Sequence, residues 1–127
     1  MSDMNPLFRV IHPALVHDNR LQSAAFKPRP CDDRHLSTYN GEVFSARQAF
    51  EHFTEKSHAV GILHVTESEC SECNLTVEKD NDPFYGHASI VFGSELSNNQ
   101  IERVAKKLTT MARMRGWDYP DNVTVEL

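Results

Sequence analysis

Apolar residues recur along this chain with two periods, and the changes from one to the other predict its elements. Leu7, Phe8, Val10 and Ile11 around Arg9 make a short strand candidate. It is ended by His12-Pro13, because proline forces its predecessor into extended geometry and donates no hydrogen bond. Residues 59–65 (AVGILHV) read as a buried strand, residues 75–79 as a further one, and residues 87–92 (HASIVF) resume extended, β-forming sequence. The tail, residues 123–127, alternates and predicts a last strand.

The helical segments announce themselves by their caps. Ser45-Ala46-Arg47-Gln48, Thr66-Glu67-Ser68-Glu69 and Ser97-Asn98-Asn99-Gln100 each have the capping-box pattern, in which a hydroxyl accepts from the third helical amide and the third side chain reaches back. The first predicts a helix to about Glu55 with Ala46, Ala49, Phe50 and Phe53 on its apolar face. The second predicts a short helix ending near Asn74. The third is the most regular. Ile101, Val104, Ala105, Leu108, Met111 and Ala112 share one face, Arg103, Lys106, Lys107 and Arg113 the opposite one, and Gly116 is a natural stop. A basic face opposite an apolar one is what a solvated surface helix carries.

Between the first strand and the first helix the periodicity is lost. Residues 12–41 predict a long irregular loop, punctuated by Pro28, Pro30, Asp32 and Asp33 and closed by the turn Asn40-Gly41. The resulting order predicts an α+β fold: a mostly antiparallel or mixed sheet of about five strands packed on two main helices and one short helix. At 127 residues this is a single domain, 1–127.

Composition narrows the function. A formal net charge of -5 disfavours nonspecific binding to nucleic acid, which rewards proteins that release counterions with Lys and Arg. Acidic residues outnumber basic ones nine to three over residues 42–82, so a protein partner is expected on that segment. The longest apolar run, residues 59–63, is far short of the roughly 20 residues that span a bilayer, and residues 1–6 lack the regions of a secretory signal. No membrane association and a cytoplasmic location are therefore expected. Three cysteines, an odd number, argue against a disulfide framework.

Candidate chemistry concentrates in residues 12–39, with three histidines, four basic residues, three aspartates and a cysteine. A long loop inside a small domain is uncommon unless it carries function. Lys27, Arg29 and Arg34, with Ser37, are candidate contacts to an anion such as a phosphate. His12, His17, His35 and His87 are candidate proton carriers, and Ser37 or Tyr39 could orient a hydroxyl. Phe26 reads as a core anchor. No nucleophile, base and orienting group stand at a diagnostic spacing, and the plainer reading is a surface loop whose arginines pair with Asp32 and Asp33. Cys70-Ser71-Glu72-Cys73 supplies a C-x2-C pair, but a zinc site would need Cys31, His64 or His87 to complete it. Packing cysteines are the simpler account, and no cofactor is expected.

The residues His12-Pro13, Asp18, Ser23-Ala24-Ala25-Phe26, Pro28, Asp32, Leu36-Ser37, Tyr39, Gly41, Ala46, Ala49 and His87-Ala88 with Ile90 resemble small uncharacterised bacterial single-domain proteins. The resemblance implies a bacterial, cytoplasmic chain and lends weight to residues 12–39 as a site. Phe8-Arg9-Val10-Ile11-His12 also resembles the first strand of ADP-ribosyl transferase or RNA phosphotransferase domains, which carries a basic residue. That resemblance implies a Ser/Thr or Tyr on a later strand, for which Ser37 and Tyr39 are present, and a glutamate that has no clear counterpart.

Taken together, these features favour a noncatalytic accessory, immunity-type or regulatory module that binds another macromolecule. The alternatives are an enzyme or binding domain for a phosphate-bearing ligand or nucleotide, and a zinc protein built on Cys70 and Cys73. The phosphate reading makes a spatial demand: Lys27, Arg29, His12 and His87 must meet in one concave pocket.

Overall fold

All three capping boxes form, and each starts a helix where its hydroxyl predicts. In the structure, a computed structural model describing residues 4–29 and 33–127, Ser45 opens α1 (Ala46–Thr54), Thr66 opens α2 (Glu67–Glu72) and Ser97 opens α3 (Asn98–Arg115), with both reciprocal hydrogen bonds present each time. These are local signals, satisfied within four residues, and tertiary context has little to override. Gly116 ends α3 at a φ of 88°, in the left-handed region that favours glycine.

The strands are β1 (Pro6–Ile11), β2 (Val16–His17), β3 (Arg20–Leu21), β4 (His35–Asn40), β5 (Gly61–Thr66), β6 (Thr76–Glu78) and β7 (His87–Val91). Five of them make one antiparallel sheet in the order β5-β1-β4-β7-β6, while β2 and β3 form a separate small hairpin. The expected α+β class, with two main helices and one short one, is what forms.

Two expectations need correction. Residues 12–41 are not one irregular loop, because β4 lies within them at the centre of the sheet. The span before it holds two 3-10 turns, Pro13–Leu15 and Ser23–Phe26, on either side of the β2–β3 hairpin. The tail 123–127 forms no continuous strand. Glu126 makes an isolated bridge to Arg20, and the tail is held by Leu21 N–H donating to the Glu126 carbonyl at 3.0 Å. Pro30, Cys31 and Asp32 fall outside the described residues.

Strand alternation sends side chains to two different faces. Leu7, Ile11, Leu36, Leu63, Val65, Ala88 and Ile90 belong to a core closed by α3, through Ile101, Leu108 and Ala112, and by Phe26 from the second 3-10 turn. Phe26 is fully buried, as expected of an anchor. On the opposite face Phe8, Val10, Tyr39 and Ile62 pack with Ala49, Phe50 and Phe53 of α1. α1 lies on β1 and β5. The β4 and β7 part of that face carries polar side chains, Ser37, His87 and Ser89.

The sheet has one opening. β1 pairs with β5 along its whole length, but with β4 only at Leu7↔Asn40 and Phe8↔Tyr39. Beyond Phe8 the ladder between β1 and β4 stops. Arg9 spans the gap, its Nε donating to the Ala25 carbonyl at 3.0 Å and Nη1 to the Ser37 carbonyl at 3.1 Å. A carbonyl that would otherwise face another strand thus receives a charge-assisted donor.

Phe26→Ala leaves a void between the second 3-10 turn and α3 and should lower unfolding free energy by about 3–5 kcal/mol. Urea denaturation of the purified variant measures this; a loss under about 1 kcal/mol would show that Phe26 is not the anchor of this segment.

Candidate functional site

The gap between β1 and β4 opens into a cavity of about 510 Å³. Val10, Leu15, Phe53, Pro83 and Phe84 give it apolar walls, while Arg9, His12, Arg29, Ser37 and His87 bring polar and basic groups. Tyr39 also lines it. The volume is that of a site for a small organic molecule.

Its most ordered feature is a chain of three side chains. Ser37 and His87 sit diagonally on paired strands, Ser37 opposite Ser89 and His87 opposite Tyr39, so both point to one face within reach of each other. Ser37 Oγ lies 3.1 Å from His87 Nε2, and His87 Nδ1 lies 2.7 Å from Asp80 Oδ1. Ser89 Oγ donates to the other Asp80 oxygen at 2.8 Å. An ionised carboxylate can only accept, so in the neutral ring the Asp80 contact puts the proton on Nδ1 and leaves Nε2 to accept from Ser37. His87 is buried, whereas Ser37 is exposed. The chain therefore passes from the exposed Asp80 through a buried ring to a hydroxyl at the cavity.

Asp80 stays ionised in spite of its surroundings. Burial opposes its charge, but hydrogen bonds from His87 and Ser89 outweigh that and hold its carboxyl below the ordinary value. The loop from Asp80 to Gly86 keeps this arrangement in place. Asn81 N–H donates to the His87 carbonyl at 3.2 Å, His87 N–H to Phe84 O at 3.1 Å, and Gly86 N–H to Asn81 Oδ1 at 2.9 Å. Gly86 has a φ of 94°, and a Cβ there would lie 2.4 Å from the Phe44 ring, so only glycine suits the turn. The same loop stands Phe84 edge-on to the His87 ring, at 5.3 Å between centroids.

His12 enters from the other side. It caps the first 3-10 turn, with Nδ1 accepting from Ala14 N–H at 3.0 Å, so its neutral ring presents Nε2–H as a donor. Tyr39 hydrogen-bonds His52 Nδ1 at 2.8 Å, and burial, then the nearby Glu55, pushes its hydroxyl up to about 12. It remains protonated at any ordinary pH and serves as a hydroxyl, not as a base.

Of the sequence candidates, His12, Arg29, Ser37, Tyr39 and His87 meet at the cavity. Lys27 and Arg34 are not among its lining residues. Lys27 pairs with Glu102 of α3, and Arg34 donates to the carbonyls of Gly93 at 2.9 Å and Leu96 at 2.7 Å, clamping the β7–α3 connection. The position of Arg34 follows from where β4 begins: a strand starting at His35 leaves Arg34 in the turn against the end of β7. Asp80 is a site residue that the sequence does not single out, whereas Arg9 is the basic residue of the first strand noted in the resemblance to ADP-ribosyl transferase or RNA phosphotransferase domains. Asp80 reads as a turn former in Asp80-Asn81-Asp82-Pro83. Nothing in the local pattern ties Asp80 to His87, seven residues on.

Comparison with known proteins finds no matching family model, curated protein or solved structure. The assignment therefore rests on the chain's own geometry.

The other two sequence readings lose their physical basis in part. Of the nine acidic residues in 42–82, five are engaged: Glu42 and Glu67 hold Lys79, Glu51 pairs with Arg47, Glu69 with Arg115 and Asp80 with His87. This surface offers less free charge than its composition suggests. Arg113, assigned to the solvated face of α3, instead donates to the Leu21 carbonyl at 2.7 Å. Cys70 is buried in the core, and burial, then Cys73 and nearby glutamates, pushes its thiol up to about 12. His64 is engaged by Asp118 at 2.8 Å and His87 by Asp80. Among the described residues no three His, Cys, Asp or Glu side chains cluster as a metal site would require, and no helix is long and apolar enough to cross a membrane.

The depressed Asp80 pKa fixes a sign for the pH dependence. An unfolded aspartate titrates near about 3.9, so the Asp80–His87 bond contributes stability above that value and loses it as pH falls through the lower folded value. The stability gap between wild type and Asp80→Asn should be full above about pH 5 and shrink below about pH 4. Denaturant titrations across this range check it, and a gap independent of pH would contradict the assignment.

Proposed function

We propose that this protein binds a small organic phosphate in the cavity between β1 and β4 and acts on it there. The observation that carries the reading is the meeting of Arg9, Arg29 and His12 with the Ser37–His87–Asp80 chain around one cavity. Two guanidinium charges and an Nε2–H donor at one cavity suit an anion such as a phosphate, with Arg9, whose Nε and Nη1 hold the Ala25 and Ser37 carbonyls, acting there as fixed positive charge. Val10, Leu15, Phe53 and Phe84 suit the apolar or aromatic part of the same molecule. The basic residues lie at the gap in the sheet and Phe53 and Phe84 come from α1 and the β6–β7 loop, so one ligand can use both.

Calorimetric titration with phenyl phosphate and adenosine monophosphate tests this. Saturable binding to at least one is expected, with Arg29→Ala weakening it by about 10- to 100-fold, the worth of a charge-assisted hydrogen bond. Absence of saturable binding to both, with the fold intact by circular dichroism, overturns the proposal.

A further inference from the structure

We infer that Ser37 is a nucleophile for phosphoryl transfer, and that the substrate class is phosphodiesters with an apolar or aromatic alcohol. The inference rests on the phosphate reading of the cavity and names the reaction there. Three observations carry it: an exposed hydroxyl at the cavity wall, a buried imidazole whose Nε2 lies 3.1 Å from it, and a carboxylate 2.7 Å from the Nδ1 of that ring. A hydroxyl, a base and an orienting group in that order constitute an activated nucleophile. Arg9 adds fixed positive charge beside it, since its Nη1 is bonded to the Ser37 carbonyl. The cross-strand register explains the alignment without any ligand, so the hydroxyl is oriented before substrate arrives.

The reaction closes as follows. Ser37 Oγ attacks phosphorus while its proton passes to His87 Nε2. The Oγ–P bond forms, the P–O bond to the leaving alcohol breaks, and the alkoxide takes the proton from His87. Water then gives a proton to His87 and attacks the phosphoryl-serine, releasing a phosphomonoester, and the His87 proton returns to Ser37 Oγ. The sum is diester plus water to monoester plus alcohol. Asp80 is a positioning residue that holds the ring with Nε2 forward and stabilises the imidazolium. A diester, with one negative charge, repels the incoming oxygen less than a monoester with two. Arg9, Arg29 and His12 line the cavity in which charge builds on the phosphoryl oxygens, and fixed positive charge there stabilises it.

A fluorophosphonate probe and bis(4-nitrophenyl) phosphate test the inference on the full chain, with phenyl phosphate affinity measured on the same samples. Intact-mass and peptide analysis should find a single adduct on Ser37, absent in Ser37→Ala. Asp80→Asn should slow both labelling and nitrophenolate release by on the order of 10²-fold or more, with phenyl phosphate affinity within about twofold. That split separates positioning from a general loss of structure. Phosphate binding without labelling of Ser37 overturns the nucleophile and leaves the binding reading standing. Loss of phosphate binding with Ser37 still labelled overturns the phosphodiester substrate. Equal labelling of wild type and Ser37→Ala overturns the inference outright.

Discussion

The parting of β1 from β4 is the constraint on which the rest of the site depends. In a closed antiparallel sheet both strands would spend their backbone groups on each other and their side chains on the two cores. Here the ladder stops after Phe8↔Tyr39, and the guanidinium of Arg9 takes the place of strand pairing at the Ser37 carbonyl. Leaving that carbonyl without a partner would cost about 1–3 kcal/mol if it were shut away from water. Arg9 removes this cost and brings a positive charge to the gap. The cavity, the exposure of Ser37 and the basic wall are three consequences of one interruption.

Neighbouring strands determine what that opening displays. β4 and β7 pair in full, and their register sets Ser37 and His87 on one face, diagonal to each other. α1 covers β1 and β5 with an apolar face, while the polar face of β4 and β7 is bordered by the Asp80 loop. That loop contributes in two ways, supplying the carboxylate that orients His87 and the Phe84 ring that walls the cavity. Polar groups in such a position are fully bonded to one another: Asp80 accepts from His87 and Ser89, and His87 uses both nitrogens. A satisfied network of this kind is rigid, which is what a preorganised site needs.

The parts legible in the sequence are those whose causes are local. Each capping box names its own helix start, and the 3.6-residue period of α3 names its buried face. β4 was illegible because its strand signals are mixed with function. In His-Leu-Ser-Thr-Tyr-Asn the inward and outward residues are both polar, since Thr38 bonds the Ala88 carbonyl, Asn40 accepts from Asn5 and Ser37 faces the cavity. Hydrophobic alternation cannot mark a strand that spends its side chains on hydrogen bonds. Ser37, Tyr39 and His87 meet because β4 pairs with β7, His12 joins them directly after β1, and pairing order is not written in any one strand. Arg34 and Lys27 do not line the cavity; the partners that place them elsewhere, a loop carbonyl pair for Arg34 and Glu102 for Lys27, are supplied only by tertiary structure.

The central claim is that His87 is held with its proton on Nδ1 and its Nε2 turned toward Ser37. Nitrogen-15 NMR of the histidine side chains, assigned with His87→Gln, reads this directly on the neutral ring. The expected result is a protonated Nδ1 protected from exchange by Asp80 and an unprotonated, hydrogen-bonded Nε2 whose shift moves in Ser37→Ala. A ring protonated on Nε2, or one unaffected by Ser37→Ala and Asp80→Asn alike, would contradict it.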